Sequence, residues 1–239
     1  MMIIQNYFYS SDIKNNGNYL NEEESYHCIK VLRHKTNDLI YVLDGKGYCF
    51  ECKIIDSSPK QCKVIIQKEL ASSFPESKCH IAVAPTKNIE RLEWFIEKSC
   101  ETGIKEITPI LCKHSERKII KSERLEKIIT SAVKQSASFW RPILNPLISF
   151  NDFILKTNDF KGQKFIACCT DEKDKSPLKN AYLKDSEVII MIGPEGDFDH
   201  EEINKSLENG FKAVSLSNNR LRTETAAFVA SNTIAMIND

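Results

Sequence analysis

Apolar and polar positions alternate in short runs over the first 70 residues: 39–43 (Leu-Ile-Tyr-Val-Leu), 48–55 and 62–67, with Asp44-Gly45-Lys46-Gly47 between the first two. Asp-Gly between apolar runs is hairpin chemistry, because glycine accepts the positive φ a tight turn demands. One stretch, 22–32, switches to helical spacing and puts Tyr26, Ile29 and Leu32 on one face. A small, mainly β domain follows. Residues 70–78 lose all periodicity and gather Ser and Pro, as linkers do. We set the boundary there, with one domain over 1–72 and a second over 73–239.

The second domain reads as alternating strands and helices. A strand at 79–84 leads to a helix over 89–102, with Leu92, Phe95, Ile96 and Cys100 inward and Gly103 as its stop. Residues 104–111 form the next strand, and Ser122 caps a helix carrying Leu125, Ile128, Ile129, Ala132 and Val133. Three apolar runs, 164–169, 187–192 and 211–216, have the unbroken character of parallel strands covered on both faces. Between the last two, Asp199 and Glu202 are spaced as a capping box, and Gly210 ends the helix. A final helix over 223–237 presents Ala226, Ala230, Thr233, Ile234 and Ile237. No internal repeat is visible.

Hydrophobic residues at 41% against 28% charged, with eight Gly and eight Pro, exclude collagen-like, low-complexity and disordered classes. Thirty-three basic residues balance thirty-three acidic ones, so a polyanion must be met by a local patch rather than a global field. No apolar run approaches the roughly 20 residues of a membrane span, and the start lacks a charged leader, so a cytoplasmic protein is expected, without a membrane partner. Nine scattered cysteines point to reduced thiols. Cys49 and Cys52 have zinc-type spacing but no companion pair, and we read them as small apolar residues in a strand, with no metal site.

Ligands of open α/β sheets bind beyond the carboxyl ends of the strands, where loops and helix N-termini gather. Three such ends are visible: Cys169-Thr170, Gly193-Pro194-Glu195-Gly196-Asp197, and 217–225 with Arg220, Arg222 and Glu224. The second is either a tight turn or a ligand loop, since two glycines flank Pro and Glu after a buried strand. GxGxxG and GxxxxGK[ST] are absent, which leaves a Rossmann or P-loop nucleotide site without support.

Ile192-Gly193-Pro194-Glu195-Gly196, paired with Leu221-Arg222-Thr223-Glu224-Thr225-Ala226, resembles the two motifs of the RsmE family. That family comprises SPOUT-class methyltransferases acting on N3 of a uridine in 16S ribosomal RNA of the small subunit. The resemblance extends to Lys87-Asn88-Ile89-Glu90-Arg91, to 98–103 and to 27–33. It implies a PUA-like β-barrel followed by an α/β domain with a mainly parallel sheet and a C-terminal trefoil knot. It also implies S-adenosylmethionine held by Cys169, Thr170, Ile192, Gly193, Pro194, Glu195, Gly196, Leu216, Ser217, Leu221 and Thr223, and a homodimer packed through the knot. Three departures stand out: Asp197 replaces a family glycine, 217–220 reads Ser-Asn-Asn-Arg, and in 134–142 only Gln135 and Ser136 match plainly.

Methylating N3 requires an oriented base and a way to carry the charge that deprotonation leaves on uracil. Arg222 is the expected stabiliser, with Glu224 orienting it and Gln135 contacting the base; the alternative is that both charges pin the loops. Phe139 and Trp140 beside Arg141 suit stacking on bases, or a core. Lys113, Arg117, Lys118, Lys121, Arg124 and Lys127 face only Glu116, Glu123 and Glu126, and Lys30, Arg33, His34 and Lys35 form a second basic patch. Both are candidate phosphate contacts. Two other readings share the motifs: a silent RNA-binding assembly protein on the same fold, and a SPOUT methyltransferase acting on tRNA.

Overall fold

The structure, a computed structural model, describes residues 6–72, 76–169 and 175–239. The chain forms two compact units, one holding the residues up to Glu76 together with Thr130–Arg141, the other Ser77–Ile129 and Pro142–Asp239. The division differs from a single cut at 72/73, because the segment 130–141 groups with the first unit.

In the first unit β1 (Tyr7–Tyr9) runs parallel to β2 (Leu39–Leu43). The short aromatic run that forms β1 went unread in the sequence. The antiparallel strands β3 (Tyr48–Asp56) and β4 (Lys63–Ala71) complete the order β1–β2–β3–β4. At the hairpin the Asp44 carboxylate accepts from Lys46 N at 2.7 Å and Tyr48 N at 3.0 Å. The helix α1 (Glu22–Tyr26) is capped by the Asn21 side chain and widens into a π-helical turn at His27–Val31. Ile29 and Leu32 pack on the core of Phe8, Ile40, Val42, Phe50 and Val64, but Tyr26 is 57% exposed, since the wider turn rotates the inward stripe past it. Cys49 and Cys52 are buried in β3.

Side chains of 130–141 fasten that segment to this unit. Lys134 Nζ pairs with the buried Glu24 at 2.6 Å, and Arg141 N donates to Gly45 O at 3.0 Å while its guanidinium lies over Tyr9. Trp140 lies so close to Gly47 that a Cβ there would come within 2.6 Å of the indole ring. Trp140 therefore packs on the hairpin instead of standing free to stack on a base.

The second unit carries β5 (Cys79–Val83), α2 (Ile89–Thr102), β6 (Glu106–Leu111), the start of α3 (Ser122–Ser136), β7 (Ile143–Leu144), β8 (Ile148–Ser149) and α4 (Phe150–Lys156). It continues with β9 (Gln163–Ala167), β10 (Ser176–Pro177), α5 (Leu178–Ala181), β11 (Val188–Ile192), α6 (His200–Glu208), β12 (Lys212–Ser215) and α7 (Thr223–Asn238). The strands pair in parallel in the order β10–β12–β9–β11–β5–β6–β7, with β8 also on β6. All five residues of β11 are buried, as a strand inserted between β9 and β5 and covered on both faces must be. One apolar cluster includes Ile110, Phe150, Phe153, Ile166, Met191 and Phe198. Elsewhere α7 packs on α2, β5 and β11, with Ala230 and Ile234 buried as expected and Ala227 and Ser231 beside them, while Ala226, Thr233 and Ile237 are only half-buried. Ser99 and Ser231 share a buried hydrogen bond of 3.2 Å there. Ser122 is the first residue of α3 rather than its cap.

Gly162 opens β9 where a Cβ would sit 2.2 Å from Glu187 O, against main chain that cannot step aside. Gly162→Ala should cost about 2 kcal/mol or more, read as a thermal midpoint several degrees lower than wild type.

Candidate functional site

Register brings the three loops to one level. Ile192 pairs with both Val83 and Ala167, and Val214 pairs with Ala167, so Ala84, Cys168 and Gly193 leave the sheet side by side, level with Ser215 at the end of β12. Ala84 N donates to Ile192 O at 3.0 Å, and Lys87 N donates to Glu195 Oε1 at 3.0 Å. Thr223, buried at the first turn of α7, donates its hydroxyl to Gly193 O at 3.1 Å. Arg220 Nη2 reaches Glu195 O at 3.5 Å. Gly193 is closely packed, since a Cβ there would come within 3.1 Å of Phe198 N, tighter than ordinary contact. The 192–197 segment is thus tied to the residues before α2, to 220 and to α7.

Asp197 closes this turn. Its N donates to Pro194 O at 2.9 Å and its φ is +64°, the left-handed region where a glycine is ordinarily favoured and Asp or Asn is next best. The carboxylate then does what glycine cannot: Oδ2 accepts from Cys169 N at 2.7 Å and Oδ1 from Phe198 N at 2.8 Å. The departure from the family glycine therefore keeps the backbone shape and adds a strap between two of the three loops. Burial, then the Asp197 charge, pushes the Cys169 thiol above its ordinary range, which favours its protonated form. Thr170 lies outside the described residues.

From the sheet's other loops come struts. Arg117, expected to meet phosphate, donates through Nε to Thr86 O at 3.0 Å and through Nη2 to Lys87 O at 2.7 Å. Lys113 pairs with Asp199 at 2.9 Å, the capping-box residue of α6, and holds that carboxyl below its ordinary range. His114 Nδ1 is 3.1 Å from Asp197 O, and Arg124 pairs with Glu93. The basic stripe thus spends Lys113, Arg117 and Arg124 on holding the unit together, leaving Lys118, Lys121 and Lys127 exposed.

At the start of α7, Arg222 is exposed, and its guanidinium has no hydrogen-bond or ion-pair partner among the described residues. Glu224 does not orient it. Glu224 is 8% exposed and meets Arg91 of α2, Oε1 to Nε at 3.8 Å, while its Oε2 is buried without a partner among the described residues. This pairing was missed in the sequence, where Arg91 and Glu224 appear only as members of separate motifs. Leu216 and Leu221 are half-buried and Ser217 is exposed.

The remaining expected residues belong to the first unit. Gln135, Lys30, Arg33 and Lys35 are exposed. His34 is not a free cation: Nδ1 lies 3.3 Å from Asp38, whose carboxyl is held low first by Lys35 N and then by His34. Elsewhere in the second unit, at the amino ends of the strands, a cavity of about 330 Å³ is lined by His80, Glu106, Thr108, Asn145 and Phe153 among others. Among the described residues no three His, Cys, Asp or Glu side chains gather as a metal would require.

The chain matches the family model of an RNA methyltransferase domain over residues 72–235 and that of an RNA methyltransferase PUA domain over 20–67. It is 30% identical over 208 residues to ribosomal RNA small subunit methyltransferase E of Rickettsia conorii, covering 85% of this chain and 83% of that one. A solved structure from Porphyromonas gingivalis superposes with a TM-score of 0.88 at 37% identity, covering 97% of this chain and 98% of the other. The structure of ribosomal RNA small subunit methyltransferase E from Neisseria gonorrhoeae bound to S-adenosyl methionine superposes with a TM-score of 0.80 at 25% identity, over 98% of each chain.

The strap at 197 has a measurable order. Asp197→Asn retains an acceptor and tolerates the left-handed backbone, whereas Asp197→Ala loses both contacts and is strained. Chemical denaturation should find Ala less stable than Asn by about 1–2 kcal/mol; equal stability of the two would mean that the strap carries no load.

Proposed function

The chain belongs to the ribosomal RNA small subunit methyltransferase E family, and from that premise we propose that it methylates N3 of a uridine in 16S rRNA with S-adenosylmethionine as donor. The observation that carries this reading is the convergence of the three strand-end loops through Asp197–Cys169, Thr223–Gly193 and Lys87–Glu195.

The donor set fits that cofactor. Exposed Gly196 brings main chain to the surface beside β11, Leu216 and Leu221 offer apolar area for a purine, and exposed 217–220 offers main-chain polar groups. Cys169, Thr170, Ile192–Gly196, Leu216, Ser217, Leu221 and Thr223 would hold it. When bound, S-adenosylmethionine supplies an electrophilic methyl group.

The protein's own residues do the remainder. Arg222, solvated and uncommitted, stabilises the negative charge that deprotonation spreads over the uracil oxygens. In the second unit Lys118 contacts phosphate, and in the first unit Lys30, Arg33, Lys35 and Gln135 contact the RNA. A uridine stacked in rRNA must leave the stack to reach such a cleft. Two copies pack through α2 and α7, where Trp94, 41% exposed, meets Phe228 edge-on at 5.5 Å and Met236 is 71% exposed. An rRNA substrate implies the cytoplasm.

Incubating the protein with labelled S-adenosylmethionine and small subunits that lack the modification should place label in 3-methyluridine, identified by mass spectrometry of nucleosides. Label in another nucleoside would refute the target atom. In the same assay Arg222→Ala should lower kcat by roughly 100-fold while changing cofactor Kd little, and equal losses in both would refute its role at the base.

A further inference from the structure

An imide nitrogen must shed its proton to attack carbon, so the proposed reaction needs an acceptor within hydrogen-bond reach of the base. Near the strand-end loops most candidates are committed. Glu195 Oε1 accepts from Lys87 N, Asp197 accepts from Cys169 N and Phe198 N, and Asp199 from Lys113 and Glu201 N. His114 directs Nδ1 at Asp197 O. Glu224 is different: nine-tenths buried, ion-paired at Oε1 with Arg91, and carrying at Oε2 a buried oxygen that accepts no hydrogen bond among the described residues. Leaving a buried carboxylate oxygen unpaired costs several times what an ordinary hydrogen bond contributes, so a donor belongs opposite it. Thr223, the adjacent residue, is bonded to Gly193 O, so Glu224 follows directly on the residue that ties α7 to the loop after β11.

We infer that Glu224 is the general base and that its missing donor is the N3–H of the target uracil. This assignment rests on the reading of the protein as a uridine N3 methyltransferase. The N3–H bond breaks and its proton passes to Glu224 Oε2; the N3 electron pair forms the bond to the methyl carbon; the carbon–sulfur bond breaks and its pair stays on sulfur, leaving a neutral thioether. Arg91 is a positioning residue that holds Oε1 so that Oε2 faces the base. Of the elements packed on α7, α2 brings Arg91 to the carboxylate while its Glu93 turns to Arg124 and its Lys98 to Glu97 and Glu101. On β5 the titratable groups are Cys79 and His80, the latter bonded to Thr108 at 2.7 Å, on α5 the group is Lys179, and β11 has none.

Glu224→Gln keeps the shape and removes the base. Its kcat at neutral pH should fall by at least about 100-fold, with cofactor Kd by calorimetry within about twofold and an unchanged melting temperature. Its rate should then climb with pH toward the ionisation of uracil itself, by about tenfold per unit, as expected when solvent replaces the base. Wild type should be nearly flat over that range. Glu224→Asp, which retains a carboxylate, should keep the wild-type profile at reduced rate. A Glu224→Gln variant within threefold of wild type, or one whose deficit persists unchanged to high pH, would overturn the assignment alone. A wild type that labels another atom would overturn the functional reading with it.

Discussion

β11 sets the terms for everything around it. Its five residues, Val188 to Ile192, are at most 3% exposed and are hydrogen-bonded along both edges, to β5 and to β9. A strand so enclosed has one free direction, outward from its carboxyl end, and the chain must turn there at once. Gly193 makes the turn with Phe198 packed close against it, and Glu195 and Asp197 then find partners on neighbouring segments. The cleft is therefore a consequence of strand order: whatever leaves β5, β9 and β12 at the same level is drawn to the turn that β11 forces.

Charge follows the same logic. A chain with balanced acidic and basic residues cannot rely on a general field to hold RNA, and much of its local basicity is already spent. Lys113, Arg117 and Arg124 brace the loops and α2, while Lys134 ties the segment after Ile129 to the buried Glu24. Arg222 remains uncommitted where the chemistry is proposed. A guanidinium that supports a carbonyl stabilises the site and one that points at solvent can meet substrate, a distinction that composition alone does not make.

Local patterns in the sequence carried far. The unbroken apolar runs identified β9, β11 and β12, Asp199 and Glu202 form the capping box their spacing implied, and the paired Gly193 and Arg222 motifs led to the family to which the chain belongs. What escaped depends on partners distant in sequence. Residues 130–141 group with the first unit because Trp140 and Arg141 meet a hairpin some ninety positions earlier. Arg117 reads as a free cation until the carbonyls of Thr86 and Lys87 are placed beside it. Asp197 reads as a lost glycine until its φ of +64° and the Cys169 amide are known. Periodicity reports which side of an element is buried; it does not report against what.

The cofactor is proposed to lie among the loops after β9, β11 and β12. Hydrogen–deuterium exchange of the protein with and without S-adenosylmethionine tests it most directly. New protection is expected only at the amides around 168–169, 193–198 and 216–223, together with the first turn of α7. Protection centred instead on the cavity at the amino ends of the strands, around His80, Glu106 and Asn145, would contradict it.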